Sequence, residues 1–167
     1  MKIDNPNTEY LDLVSHILNN PKFDETKDIV HHGLNRYDHS LRVSYYSYRI
    51  AKALRINYED TARGALLHDF FISSNNCSYN SRFKSIFRHP KQALENASKH
   101  FALSDIEADI IKKHMFPLTI SPPKYLESWI VDIVDDIVSI AEQGYLVRKQ
   151  LTAITNFALI MLIGYLK

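Results

Sequence analysis

Ala62-Arg63-Gly64-Ala65-Leu66-Leu67-His68-Asp69 is the stretch whose reading decides the fold. Its small and apolar residues read as a helix over 61–71, which carries a histidine and an aspartate side by side near its end. Small side chains one turn before the doublet let a second helix approach closely, as a crowded site needs. Away from the doublet, His39, His89, His114 and Asp135 recur at intervals of one helix plus one loop. The expectation is that these six residues converge on one metal site.

Composition bounds what such a site can sit in. The chain has 167 residues, enough for a single domain with a real core over 1–167 and short for two. Hydrophobic residues make up 46% and charged residues 23%, ordinary values for a soluble globular protein. Only 4 glycines and 6 prolines are present, so few positions are prepared for tight turns. That favours an all-α helical bundle over a many-turned β fold. A net charge of +1 gives no nucleic-acid or membrane footprint. Cys77 is the only cysteine, which rules out an intrachain disulfide and points to a reducing, cytoplasmic setting. The N-terminal MKIDNPNTEY has no apolar signal core. The most apolar run, 157–166, is too short to span a bilayer and reads as part of a buried C-terminal helix over 148–166, with a homodimer contact as its second use.

Periodicity places the histidines and aspartates on helices. Residues 9–18 carry Leu11, Val14, Ile17 and Leu18 at helical spacing, and Asn19-Asn20-Pro21 stops them. Residues 24–31 allow one short turn of helix, and 33–36 read as a loop. A long helix over 37–54 aligns His39, Val43, Tyr46 and Ile50 on one inward stripe, widened by Leu41, Tyr45 and Tyr48. Asn57 to Asp60 offers a break and an N-cap. Residues 73–88 are polar and basic and read as a long loop with room for a short helix, with Pro90 then opening a helix to about 101. Ser104 and Glu107 make a capping box for a helix to 114, in which Ile106, Ile110 and His114 recur every four residues. Pro117, Pro122 and Pro123 force an irregular connection. The helix over 125–143 turns Val131, Val134, Val138 and Ala141 inward with Asp135 among them. Its solvated face holds Ser128, Asp132, Asp136 and Ser139, and Gly144 ends it.

Imidazole with carboxylate suits Fe, Mn or Zn, and carboxylate-bridged pairs of such ions are common in hydrolases. Taken singly, each residue has a plainer use. An inward His39 or His114 is ordinarily a hydrogen-bonded core histidine. Asp69 could cap a helix or pair with arginine, Asp135 could pair with His68 or His114, and His89 could sit in a loop. His16, His31, His32 and His100 follow no ligand pattern, though His31 and His32 are close enough to the first ligand helix to line a cleft. The convergence of four inward histidines and two inward aspartates is what argues for metal, because an isolated buried carboxylate is expensive.

The ordered set His39, His68-Asp69, His89, His114, Asp135 resembles the HD-domain metal-dependent phosphohydrolase superfamily over about residues 30–142. The resemblance implies an all-helical fold around the site and hydrolysis of a phosphoester or phosphoanhydride in a nucleotide or other small phosphorylated metabolite. It implies that His39, His68 and Asp135 hold one divalent ion and His89 and His114 a second, with Asp69 bridging. Fe, Mn, Mg, Zn and Ni all suit such a set. Asp69 and His68 would be the catalytic centre. By layout the nearest branch is the symmetrical diadenosine tetraphosphate hydrolases. Those enzymes usually follow the third histidine with glycine and the fourth with threonine, where this chain has Pro90 and Met115. The Gly-Tyr-Pro motif of cyclic-dinucleotide phosphodiesterases is absent. The Glu-Asp pair of alarmone hydrolases is replaced by Phe70-Phe71. Candidate substrate cations are Arg88, foremost because it adjoins His89, then Arg42, Arg82, Lys84, Lys112 and Lys113, each of which could equally be a solvated surface charge. The competing readings are a ligand-binding or regulatory module that kept the site and a di-iron oxygenase.

Overall fold

A computed structural model describes residues 7–31, 34–71 and 81–165, with side chains over 7–29, 35–71 and 88–152. The fold is all-α apart from a two-residue ladder. Helix α1 spans Thr8–Leu18, α2 Pro21–Asp24, and a 3-10 turn Glu25–Asp28. Strands β1 (Val30–His31) and β2 (Leu34–Asn35) pair antiparallel. Helices α3 (Arg36–Leu54), α4 (Tyr58–Leu67), α5 (Ser81–His100), α6 (Asp105–Lys113) and α7 (Leu126–Tyr165) complete the chain.

Side-chain caps set where the early helices begin. Asn7, Asn20, Asn35 and Asn57 each accept a hydrogen bond from a backbone N–H of the first turn that follows. Ser104 and Glu107 form the expected capping box on α6. Arg55 closes α3 in the left-handed region at φ 58°.

Helix α4 sits at the centre. Its Leu66 and Leu67 join a cluster with Tyr10, Ile17, Phe23, Tyr48, Phe70 and Ile111. Its Ala65 faces the opposite cluster of Val43, Ile110, Val131, Val134 and Val138. A buried hydrogen-bond relay ties three helices together: the Tyr10 hydroxyl donates to Ser44 Oγ at 2.9 Å, and Ser44 Oγ donates to the Ala62 carbonyl at 2.7 Å. Satisfying both hydroxyls inside the core fixes α1 and α3 against α4. Gly64 lets α6 approach. A β-carbon there would lie 2.8 Å from Ile110 Cδ1 and 3.2 Å from the Glu107 Cα.

Several expectations are corrected. The segment read as a loop over 33–36 supplies β2 and the first residue of α3. Helix α4 ends at Leu67 rather than 71, because Phe70 N–H turns back to the Leu67 carbonyl and Phe71 N–H to the Asp69 carbonyl, leaving the i→i−4 ladder. Helix α5 begins at Ser81, inside the stretch read as a loop, and runs through Pro90. The spacing of Pro90, Ala93 and Ala97, all buried, keeps one apolar face continuous, and this offsets the single ladder bond that proline forfeits. The rest of the expected loop, with Cys77, lies outside the described residues. Gly144 does not end α7, which continues to Tyr165 as one 40-residue helix. A glycine alone costs a helix only about 1 kcal/mol against alanine, and good helix formers flank it. The side chains of 157–166 lie outside the described residues. Ile50 and Ala141, expected inward, are exposed.

Candidate metal centre

Each candidate ligand sits where an element starts, stops or crosses the bundle. His39 lies in the first turn of α3, positioned by the Asn35 cap, which accepts from Asp38 N–H at 2.7 Å. His68 is the C-cap of α4 and Asp69 follows it. His114 is the C-cap of α6. His89 lies in α5 and Asp135 in α7. The helix ends at His68 and His114 let these two side chains point at the same centre as the ligands that α3, α5 and α7 carry.

The six residues form two trios. His39, His68 and Asp135 make one, and Asp69, His89 and His114 the other, with the ligand atoms of each trio within 4.8 Å of one another. In the first, Asp135 Oδ1 lies 2.9 Å from His39 Nε2 and 3.8 Å from His68 Nε2. In the second, Asp69 Oδ1 lies 3.3 Å from His89 Nε2 and 3.7 Å from His114 Nε2. The trios adjoin: the His68 ring centroid is 5.5 Å from that of His39 and 4.9 Å from that of His114.

The outer contacts turn the Nε2 atoms toward the centre. His68 Nδ1–H donates to the Ala65 carbonyl at 2.7 Å and His114 Nδ1–H to the Ile111 carbonyl at 2.9 Å. His39 Nδ1–H donates to Glu142 Oε2 at 3.0 Å, and Arg42 Nε donates to Glu142 Oε1 at 2.7 Å. Such outer partners fix a ligand's tautomer and raise its basicity. Two observations then fit a cation. His68 Nε2 is buried with no hydrogen-bond partner, so its lone pair is otherwise wasted. His89 Nε2 and His114 Nε2 face each other at 3.0 Å, where two lone pairs repel unless a proton or a shared cation sits between them. Borderline nitrogen donors with one carboxylate per trio suit first-row divalent ions.

Charge in the pocket is tightly coupled. Burial pulls the His39 imidazole down, but hydrogen bonds to Asp135 and Glu142 outweigh it and raise it to about 10. Burial, reinforced by the charge of His68, lowers His114 to about 4. Burial works to raise the Asp69 carboxyl, yet the hydrogen bond from His89 and the charge of His68 hold it well below the usual range. Burial likewise opposes ionisation of Asp135, and His68 and His39 overcome it. Both carboxylates are therefore anionic ligands at neutral pH. Glu142→Gln keeps an acceptor for His39 but removes the outer charge. It is expected to weaken metal binding at the His39 trio by about ten- to a hundredfold, with the His114 trio unaffected, as read by competitive chelator titration.

The remaining predicted residues are dispersed. Arg88 and Lys112 are exposed, and Lys113 is half-buried with its Nζ bonded to Ser121 Oγ. Arg42 is buried against Glu142 rather than open to substrate. The side chains of Arg82, Lys84 and His31, and the whole of His32, lie outside the described residues. His16 bonds Arg63, and His100 is exposed.

Two groups at the site were missed from the sequence. Arg36 is buried, its Nε 3.7 Å from Asp69 Oδ2, its Nη1 donating to the Phe71 carbonyl at 2.5 Å. Its guanidinium lies 3.8 Å above the Phe71 ring, and the other neighbour of that ring is His89, stacked at 5.1 Å. Phe71 thus supports both a ligand and the cation beside Asp69. Glu142 is the second. Each had a signal: Arg36 stands three residues before His39, and Glu142 seven after Asp135, on the same helix faces.

Asp132 corrects the face assigned to α7. The α7 pattern sets it among solvated residues, but it is buried and accepts from Phe116 N–H, in the connection after α6, at 3.2 Å. Ser128 is buried too and donates to Asp109 Oδ2. Burial and the neighbouring Asp136 raise the Asp132 carboxyl to about 7. Because the folded state holds this proton more tightly than the unfolded chain, the contribution of Asp132 to stability is greatest below about pH 4 and falls as pH climbs to about 7. Asp132→Asn is expected to remove that slope. Its melting temperature should exceed that of the wild type at pH 8 and match it near pH 4; equal melting temperatures at pH 8 would refute the assignment.

Among the described residues no helix is long and apolar enough to cross a membrane. No curated protein and no solved structure matches the chain. A family model described as HD domain matches residues 36–139, a span that runs from Arg36 past Asp135 and so contains both trios. With more than half its length matched and the paired histidine–aspartate trios in place, the chain belongs to the HD domain family.

Proposed function

We propose that this chain is a metal-dependent phosphohydrolase that cleaves a phosphoester or phosphoanhydride in a nucleotide or other small phosphorylated metabolite. The observation that carries the reading is the pair of adjacent trios, each with two imidazoles and one carboxylate. HD domains are generally metal-dependent hydrolases, and none of the six ligands is missing here.

Two divalent ions would supply Lewis acidity to a phosphoryl oxygen and a hydroxide nucleophile at neutral pH. The protein's own part is to hold and orient. His39, His68 and Asp135 form one cradle, and His89, His114 and Asp69 the other. Asp69 turns Oδ1 toward His89 and Oδ2 toward Arg36, and as the residue next to His68 in sequence it would be the carboxylate shared between the two cradles. Arg88, exposed next to His89, and Lys112, exposed two residues before His114, would be the first candidates to meet phosphate charge. The branch closest in layout is the symmetrical diadenosine tetraphosphate hydrolases, with Pro90 and Met115 as the departures. A reducing, cytoplasmic setting accords with the single cysteine.

The test is a panel of phosphomonoesters, phosphodiesters and dinucleoside polyphosphates, assayed for released phosphate or nucleotide before and after chelation. Turnover that chelation removes and metal restores supports the proposal. A fully metal-loaded protein with no turnover anywhere in the panel would sink it.

A further inference from the structure

The exposed side of α7 carries a second pattern that the metal centre does not use. Leu126, Ile130, Ile133, Ile137, Ile140, Gly144, Val147 and Leu151 follow one another at alternating steps of four and three residues. In the sequence the same steps continue through Ile154, Ala158, Met161 and Tyr165. That is the 3.5-residue period of a coiled-coil seam rather than the 3.6 of a helix lying on a core. The exposures agree: Ile133 is 53% exposed, Ile137 60%, Ile140 71% and Val147 55%. Among the described residues of the row only Ile130, near the start, is buried.

The domain occupies the opposite side of the same helix. Ser128, Asp135 and Glu142 are themselves spaced by seven, and they bond Asp109, His39 and Arg42. One face of α7 therefore builds the metal centre while the other presents a straight apolar row. Among the described residues the row continues past the packed part of the domain, since residues 147–152 are all exposed. From residue 143 to 165 the helix extends about 34 Å further at 1.5 Å per residue.

We infer that this row is the seam of a homodimer, α7 packed along α7 of a second copy. A seam of one residue type class with no charged position within it is self-complementary, as a two-fold interface requires. Its size also fits. Forty residues of helix make a seam about 60 Å long, and at about 10 Å wide it would bury about 600 Å² per copy, or about 1,200 Å² in all. That reaches the lower bound of stable interfaces only if the whole helix takes part. The extra surface comes from a groove beside the row, about 340 Å³ in volume, between Tyr46 and Ile50 of α3 and Ile137, Ala141 and Tyr145 of α7. Ile137 belongs to both row and groove, so a partner helix on the row covers the groove mouth.

Sedimentation equilibrium of the full chain tests this. The wild type is expected at twice the 19.4 kDa chain mass at about 10–100 µM. Ile140→Glu with Val147→Glu should fall to one chain mass while keeping its helical circular dichroism. Lys149→Glu, on the domain-facing side of α7 and exposed, should stay at two. A wild type at one chain mass overturns the inference whatever the variants do. A double variant that remains dimeric also overturns it, as does a Lys149→Glu chain that dissociates. A monomeric wild type that pellets with phosphatidylcholine–phosphatidylglycerol vesicles would assign the row to a lipid surface instead.

Discussion

Asp69→Ala is expected to cost at least about a hundredfold in hydrolysis, beyond the range usual for outer partners of a metal ligand. Asp69 is the carboxylate of the His89–His114 trio, and its second oxygen faces Arg36. Removing it leaves His89 Nε2 and His114 Nε2 opposed at 3.0 Å with no anion to balance a cation between them. The same change strands the buried Arg36 guanidinium, whose pairing charge is Asp69. Elemental analysis should show the ion of that trio lost, and Asp69→Asn should behave similarly because it keeps the shape but not the charge. If Asp69→Ala retains both its metal and its turnover, the assignment of the second trio is wrong.

Gly64→Val should damage the site from a distance. Even the first added carbon meets Ile110 and the Glu107 backbone, and the branched side chain pushes further into α6. The Ile110 side chain can swing, but the Glu107 backbone is held by the capping box and by its buried carboxylate, which takes hydrogen bonds from Arg63 and Ser104. So α6 must shift as a unit. Overpacking of this kind costs about 1–3 kcal/mol, measurable as a lower denaturant midpoint. His114 caps the far end of α6 and moves with it. A displacement of about 1 Å is enough to lower turnover about a hundredfold. The distinguishing result is loss of metal from the His114 trio with the His39 trio still loaded. Lowered stability with both trios loaded and full activity would show that the close approach at Gly64 serves packing alone.

What the sequence disclosed followed from periodicity. His39, His114 and Asp135 lie on inward faces because apolar residues recur around them at helical spacing, and the structure brings all three to the centre. Asp135 rather than Asp136 could be chosen because Val131, Val134 and Val138 flank it on one stripe. Periodicity misled where a connection meets a helix. Asp132 reads as solvated on α7 alone, whereas in the fold it is buried and meets the Phe116 N–H of the connection after α6. Propensity misled at Pro90 and Gly144, where residues that ordinarily punctuate helices are absorbed by longer ones. The stacking of Arg36 on Phe71 was illegible for a different reason. Their contact depends on how the chain turns after Leu67, and no spacing rule predicts that turn. The heptad row on α7 was hidden by ending that helix at Gly144, which cut the repeat into two short pieces.

Metal content tests the central claim most directly. The purified chain, stripped with chelator, reloaded with a divalent transition metal and freed of excess, is measured by elemental analysis against protein concentration. Two adjoining trios predict two ions per chain in the wild type, one in His114→Ala and one in His39→Ala. A wild type that holds no ion, or a stoichiometry that neither substitution changes, would contradict a two-metal centre built from these six residues.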